Sequence, residues 1–429
     1  MTREMKNSGV EWIGDIPSEW KLEKNKHCFE LTKNIVGGNF LSYELLSLTK
    51  KGIVIKDVNN SFGKVPESYE TYQSVKKGQL VLCLFDLDCS AVFSGLSNHN
   101  GMISPAYKVY DCKNNIDKKY AAYWFDYCFD GRKYKIYSKS LRYVVNADDF
   151  GDIEIILPPL SEQKRIADFL DSRVTEIDKI ISDTKASIEN YKEYKQSVIT
   201  EAVTKGLDKN VVRKNCNIQW INEIPKHWSE KKILHITSMP VIDGPHVSPA
   251  LYDDGIPYIS ADAIENGKIN FDRKRGYISK EYSEECNKRY KPRENDILVV
   301  KLGASTGKMA IVGKETNFNI WVPLAVVRCK DNISPKFVFY CMTSQYFKNE
   351  IENGWTFGTQ ETLGVKTLEQ LKICIPDNLQ EQQEIVDFLD GRCVEIDYLI
   401  LEKEKLITNL EEYKKSLIYE YVTGKKAVE

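Results

Sequence analysis

Apolar residues recur every three or four positions in two separate stretches of this chain. The first stretch runs through Val174, Ile177, Ile181, Ile188, Tyr191, Val198 and Ala202, the second through Cys393, Ile396, Ile400, Ile407, Leu410, Leu417 and Tyr421. Such spacing draws a seam along one side of an α-helix in a heptad-like repeat. Proline stands upstream of each stretch (Pro158-Pro159 and Pro376), glycine follows each (Gly206 and Gly424), and Ser161 is available to cap the first. These are helix start and stop signals, and at 1.5 Å per residue each helix would extend about 60 Å. A lone helix would leave its seam in water. The two are therefore expected to pack on each other, antiparallel because a whole domain separates them in the chain. Ile177, Ile181, Ile188, Val198, Ile396, Ile400, Ile407, Leu410 and Leu417 are the expected packing positions.

Before each stretch the pattern changes. Short apolar runs such as Gln79–Leu84, Ala106–Tyr110, Asp296–Lys301 and Leu324–Arg328 alternate with Gly, Asn and Pro turns, and short helices are expected at Lys118–Phe129 and Pro335–Asn349. This reads as two α+β domains.

The chain also repeats itself. LSEQKRIADFLDSRVTEIDKI from Leu160 returns as LQEQQEIVDFLDGRCVEIDYL from Leu379, and the likeness continues to Val203-Thr204 against Val422-Thr423. Roughly half the positions agree over more than forty residues, beyond what chance supplies. Upstream, the Trp12-Ile-Gly-Asp-Ile-Pro-Ser-Glu-Trp20 run is echoed by Trp220-Ile-Asn-Glu-Ile-Pro-Lys-His-Trp228. Two tandem modules follow, each a mixed head and a long helix. The expected division is 1–158 for the first head, 159–206 for the first helix, 207–376 for a linker and the second head, and 377–429 for the second helix. The fold class is α+β, with two heads separated by two long antiparallel helices in a pseudo-twofold internal repeat. The heads have diverged while the helices have not, so one scaffold carries two different reading surfaces.

Composition agrees with packed domains: of 429 residues, 42% are hydrophobic and 28% charged. No apolar run has the length of a membrane span, and Met1–Lys6 lacks a secretory signal's apolar stretch, so a cytoplasmic location is expected and no membrane partner. The eleven cysteines never form a Cys-x-x-Cys pair and the five histidines lie far apart, which predicts reduced thiols and no metal site. The net charge of −2 hides an uneven distribution. The two helical segments carry about −7 between them, leaving about +5 for the heads and linker, and local patches decide what a surface attracts.

Cations and aromatics interleave in the first head at Arg132, Lys133, Lys135, Tyr137, Lys139, Arg142 and Tyr143. The second head carries Arg273, Lys274 and Arg275, a basic run from Lys288 to Arg293, and a turn-rich segment with Thr356, Thr359 and Gln360. Lysine and arginine neutralise phosphates, while Arg, Gln, Thr and Tyr can reach base edges, so these are candidate DNA contacts. The competing explanation for any single run is a solvated charged face.

Catalytic patterns fail. Gly303-Ala-Ser-Thr-Gly307-Lys308 has only three residues between its glycines, and Met309 replaces the Ser or Thr of a phosphate loop. It is read as a strand turn, with Lys301 or Lys308 facing phosphate. Leu157-Pro-Pro-Leu160 lacks both the acidic or Asn residue and the aromatic of an amino-methyltransferase motif. No Gly-x-Gly-x-x-Gly run follows a strand. The chain is expected to be no enzyme.

The whole chain resembles the specificity subunit of type I restriction-modification enzymes. The resemblance rests on Leu157-Pro-Pro-Leu-Ser-Glu-Gln163, Ile103-Ser-Pro-Ala-Tyr-Lys-Val-Tyr110, Glu201-Ala-Val-Thr-Lys-Gly-Leu207 and, in the second head, Asp243-Gly-Pro-His246 and Gly303–Gly307. It adds His246 to the candidate DNA contacts. It implies a non-catalytic subunit that binds double-stranded DNA at a bipartite target, one half per head. The helices would dock two methyltransferase subunits and set the spacing, with restriction or translocase subunits joining. S-adenosylmethionine, ATP and Mg would belong to those partners, with no cofactor in this chain. Asn378 departs from the family's usual proline before the second helix, which puts that helix entry in question. The alternative is a non-catalytic coiled-coil adaptor with two peptide- or protein-binding heads.

Overall fold

The computed structural model describes residues 3–50, 52–57, 68–90, 92–140, 143–354 and 362–428. The chain forms two compact units, Met1–Lys185 with Glu404–Glu429, and Ala186–Lys403. Each contains one head, the beginning of the long helix that follows it and the last part of the other long helix.

In the first unit, strands β1 (Phe29–Thr32), β2 (Leu80–Leu82), β3 (Ser94–Leu96) and β4 (Lys108–Cys112) form a sheet of order β1-β4-β2-β3, antiparallel throughout. In the second, β5 (Ile242–Asp243), β6 (Ile297–Val300), β7 (Met309–Ile311) and β8 (Leu324–Val327) take the same order, β5-β8-β6-β7. The diverged heads thus share one topology. Their central strands are buried on both faces: Ile297 and Val299 enter one core while Leu298 and Val300 enter another, and Leu80 and Leu82 divide from Val81 in the same way. Double burial explains why they read as continuous apolar runs rather than alternating ones.

Two helices complete the head scaffold. Helix α1 (Lys118–Asp130) is capped by Asp117, which accepts from the Lys119 and Tyr120 amides. After α2 (Leu160–Lys205) and α3 (Lys280–Arg289), helix α4 (Pro335–Thr343) is capped by Ser334 and has proline in its first turn. Both starts satisfy amides that a helix leaves without internal partners. The single helix expected over Pro335–Asn349 is broken. Ser344 takes an extended backbone (ψ 159°), ending α4 and beginning a second helix, Gln345–Asn353. Its buried hydroxyl donates to the Cys341 carbonyl at 2.5 Å, a local bond that competes with helix continuation.

The long helices are α2 and α5 (Leu379–Val422), 46 and 44 residues. Within each unit they run antiparallel. In the first, Asp178 pairs with Lys414 at 2.7 Å, Lys185 lies 3.9 Å from Glu411, and the Phe169 and Tyr421 rings are 4.5 Å apart. In the second, Lys195 pairs with Asp397 at 2.7 Å. Along the seam Ile177, Ile181, Ile188, Ile396 and Leu417 are buried, and Val198, Ile400, Ile407 and Leu410 are half-buried.

The repeated sequence has a structural cause: it joins each head to its helix. Trp20 Nε1 donates to Glu162 and Trp228 Nε1 to Glu381, both at 2.9 Å. Buried Gln163 donates to the Pro158 carbonyl and accepts from the Asp117 amide at the start of α1. Gln382 does the same with the Pro376 carbonyl and the Ser334 amide at the start of α4. About two turns on, Asp171 binds Lys119 and Tyr123, and Asp390 binds Lys336 and Tyr340. The Lys and Tyr are spaced by four on α1 and α4, hence on one helix face. The glycine after each helix is equally constrained. At Gly424 (φ +72°) a Cβ would lie 2.5 Å from Pro17 and 2.9 Å from Trp20, and at Gly206 (φ +71°) it would lie 3.3 Å from Trp228. Positive φ at the helix end and a tryptophan against it leave room only for glycine.

Two helix-entry expectations resolve here. Ser161 lies inside the first turn of α2, and the Glu162 and Gln163 amides are taken by the Pro159 carbonyl. At α5, Asn378 supplies both an amide-accepting side chain, to Gln380, and a carbonyl, to Gln382. The departure from proline therefore leaves the entry intact.

Removing Gln382 would strand the Ser334 amide and the Pro376 carbonyl in a dry site, costing about 1–3 kcal/mol for each group left unpaired. Gln382→Ala is thus expected to lower the urea midpoint clearly, whereas Lys336→Ala, at a half-exposed ion pair, changes stability by about 1 kcal/mol or less. Equal effects of the two substitutions would contradict the assignment.

Candidate nucleic-acid interface

In both heads the segment before the last strand (Glu154–Leu157 or Lys372–Pro376) folds onto the loop that joins a central strand of the sheet to its edge neighbour, β2 to β3 or β6 to β7. In the first head, the Val145 amide donates to the Leu84 carbonyl and the Leu87 amide to the Tyr143 carbonyl. In the second, the Leu363 amide donates to the Lys301 carbonyl, and Thr362 bridges to Leu302. In the first head the basic and aromatic run therefore folds onto the β2–β3 loop, and in the second Thr362 and Leu363 meet the start of the β6–β7 loop.

In the first head this packing engages several of the flagged side chains. Arg132, at φ 50°, donates from Nη1 to the Ser90 carbonyl at 2.7 Å and the Leu87 carbonyl at 3.3 Å, with its guanidinium over Phe129. It is a strut for the loop. Tyr137 accepts from Trp12 Nε1 at 3.0 Å. The Lys133 ammonium sits 4.5 Å from the Tyr127 ring and that of Lys135 4.3 Å from the Tyr143 ring, so both cations are directed by aromatic faces. Lys139 pairs with Asp149 at 2.8 Å while remaining 81% exposed. Arg142 lies outside the described residues. The loop itself presents Asp86 and Asp88, of which Asp88 is exposed. These two were not singled out from sequence, where they stand as ordinary turn residues.

The second head differs at the same place. Its loop is closed by Thr306, whose amide and hydroxyl both donate to the Gly303 carbonyl, so this run is a tight strand connection and not a phosphate cradle. Lys308 projects from it and is exposed. Lys301 does not: its side chain is 8% exposed and its ammonium lies 3.0 Å from Asp243. Asp243, itself 10% exposed, also meets Arg289 at 2.9 Å and His246 at 3.2 Å. Burial alone would raise its pKa, but the Lys301 hydrogen bond and charge, with His246, hold the carboxyl below its ordinary value. The chain can pass here because residue 244 is glycine. A Cβ there would lie 2.4 Å from the Trp321 backbone and 2.5 Å from the Ile320 carbonyl oxygen.

Of the remaining candidates, Arg275 stacks on Trp321, its guanidinium carbon 3.3 Å from the ring centre. Arg273 pairs with Glu265 at 3.0 Å, and Lys274 lies 4.7 Å from the Tyr277 ring. Thr356, Thr359 and Gln360 fall outside the described residues. Sequence reasoning had Arg289 in a basic run and Asp243 in a family-like segment but missed their contact, because the two are far apart in the chain and only the tertiary fold brings them together.

Among the described residues no helix is long and apolar enough to cross a membrane, and no three His, Cys, Asp or Glu side chains gather as a metal site.

Residues 99–190 and 248–411 match the family model for the type I restriction modification DNA specificity domain. The chain is 33% identical over 248 residues to the type I restriction enzyme EcoBI specificity subunit of Escherichia coli, covering 55% of this chain and 50% of that protein. It is 26% identical over 281 residues to the MjaVIII specificity subunit of Methanocaldococcus jannaschii, covering 64% and 63% of the two chains. These alignments span about half and somewhat under two thirds of the respective relatives. A third, to the putative MjaX specificity subunit of the same organism, is 23% identical over 450 residues and covers 96% of this chain and 95% of that one. The fold is shared with a chain from a solved structure concerning complex assembly and conformational transition of the type I R-M system, with a TM-score of 0.69 at 14% identity, covering 95% and 98%. The internal repeat, the paired head sheets and the match across both modules lead to one assignment: this chain belongs to the family of type I restriction-modification DNA specificity subunits.

Proposed function

We propose that this protein reads a bipartite target on double-stranded DNA, one half with each head, and performs no chemistry of its own. The observation that carries this is the pairing of one sheet topology with unlike side chains at the same loop, half-buried Asp86 and exposed Asp88 in one head and exposed Lys308 in the other. A shared frame with different polar groups suits two related tasks on one polymer, because sequence is read by hydrogen bonds at base edges. On this reading residues 1–158 and 207–376 carry the heads, the second with its linker, and 159–206 and 377–429 the spacer. The outer faces of α2 and α5 dock two methyltransferase subunits, and restriction or translocase subunits join them. S-adenosylmethionine, ATP and Mg act on those partners in the cytoplasm. The reading is supported by family membership and by the two-headed architecture.

A structural adaptor is the second reading, supported by the coiled-coil seam alone. Affinity purification separates them: the DNA reader retains duplex DNA and a methyltransferase, and the adaptor retains neither.

Exchanging 21–158 for the same segment of another family member is expected to change one half-site only, as read by mapping methylated bases in cells that also express the methyltransferase. A change in both halves contradicts independent heads. Inserting four residues at equivalent depths of α2 and α5 lengthens each by about 6 Å while nearly restoring its rotational face. The expected result is a longer unread gap with both half-sites kept. Lys308→Ala is expected to weaken binding evenly across sequences and to reduce the slope of log affinity against log salt by about one.

A further inference from the structure

The Asp243 cluster has a geometry that a phosphate clamp does not need. Clamps present cations without counter-charge, whereas here Lys301, Arg289 and His246 converge on one carboxylate. Lys301 is buried, so its charge is given to Asp243 and cannot reach a ligand. Arg289 is held differently. Among the described residues its guanidinium bonds through Nη2 alone, to Asp243 Oδ1 at 2.9 Å, and its side chain is 53% exposed at the C-terminal end of α3. A guanidinium fixed by one nitrogen to a nearly buried carboxylate keeps its remaining N–H donors and loses much of its freedom to wander. Asp243 in turn cannot move. Its residue pairs with Ala325 in the sheet, and the following glycine passes hard against the Ile320–Trp321 backbone.

We propose that Arg289 is a specificity-determining residue of the second head, directed at the paired acceptors of a guanine in the major groove, and that Asp243 is its positioning residue. This rests on the DNA-reading function proposed above. Guanine presents O6 and N7 side by side, and a planar fork of N–H donors is the side chain that matches them. The carboxylate behind the fork makes it directional and leaves the Asp–Lys–Arg group with a modest net charge, which disfavours indiscriminate phosphate binding. Among the described residues of the first head, no arginine at its loop is held to a carboxylate in this way. There Arg132 points its guanidinium at the Leu87 and Ser90 carbonyls, and the loop carries half-buried Asp86 and exposed Asp88. Dependence on Arg289 therefore belongs to one half-site.

The test is selection from a randomised duplex library by the full chain in complex with its methyltransferase subunits, comparing wild type, Arg289→Lys, Arg289→Ala and Asp243→Asn. Lysine keeps the charge and loses the fork. Both Arg289 substitutions are expected to reduce the preference for guanine at one position of one half-site by about 10- to 100-fold. Asp243→Asn should lower preference at the same position, and because it also disturbs Lys301 its folding is checked by thermal melting. The proposal is overturned if the Arg289 variants select the wild-type sequence with only a uniform loss of affinity, since that is what a purely structural ion pair would do. It is also overturned, with the DNA-reading function left standing, if wild type selects a bipartite sequence whose half-sites do not depend on Arg289 for any guanine. A wild-type complex that selects no sequence at all rejects both.

Discussion

The structure depends on one constraint: the polar backbone at each junction of head and long helix is buried and must find partners inside the protein. A buried glutamine meets it in both modules. Gln163 and Gln382 each accept from the amide at a head-helix start and donate to the carbonyl of the proline before the long helix. An unpaired amide or carbonyl in such a place costs more than most surface contacts contribute. Around this bond sit the Trp–Glu pairs and the Asp–Lys–Tyr groups, so the head cannot rotate on its helix without breaking several directional contacts together. On the proposed function that rigidity matters, because a surface that reads base edges has to be held in register.

The same constraint accounts for the uneven divergence of the two modules. Residues that make the junction recur in both copies because each has a geometric counterpart: Trp20 and Trp228, Glu162 and Glu381, Asp171 and Asp390. Loops at the far end of the central strands carry no such obligation. They hold a tight turn in the second head and a longer loop braced by Arg132 in the first. The junction contacts lie where the sequences agree, and the loops are free to vary where they differ.

Electrostatics follows this division. Ion pairs along the long helices are exposed and individually weak, and they set the direction of packing more than its strength. The Asp243 group is nearly buried on its Lys301 side and open on its Arg289 side. Low exposure makes the inner pair costly to break, and partial exposure leaves the outer cation available. A strongly cationic head would attract any nucleic acid, whereas a cation tethered to a carboxylate favours a partner with acceptors in the right direction.

Periodicity and repetition alone determined the two modules, the long helices and the mixed heads, because these depend on local spacing and on identity between distant segments, while the family was legible only as a resemblance in particular segments such as Leu157–Gln163 and Ile103–Tyr110. The Trp12–Trp20 echo and the Glu-Gln repeat marked both junctions without revealing what they do. Tertiary structure decided the rest. It broke one expected helix at Ser344 through a side-chain bond to Cys341, and it turned Arg132 inward as a strut although it sits in the most basic run of the first head. It also brought Asp243, Arg289 and Lys301 into one group across nearly sixty residues of chain. A side chain's partners are set by which strands and loops become neighbours, and no linear pattern encodes that when the participants come from different elements.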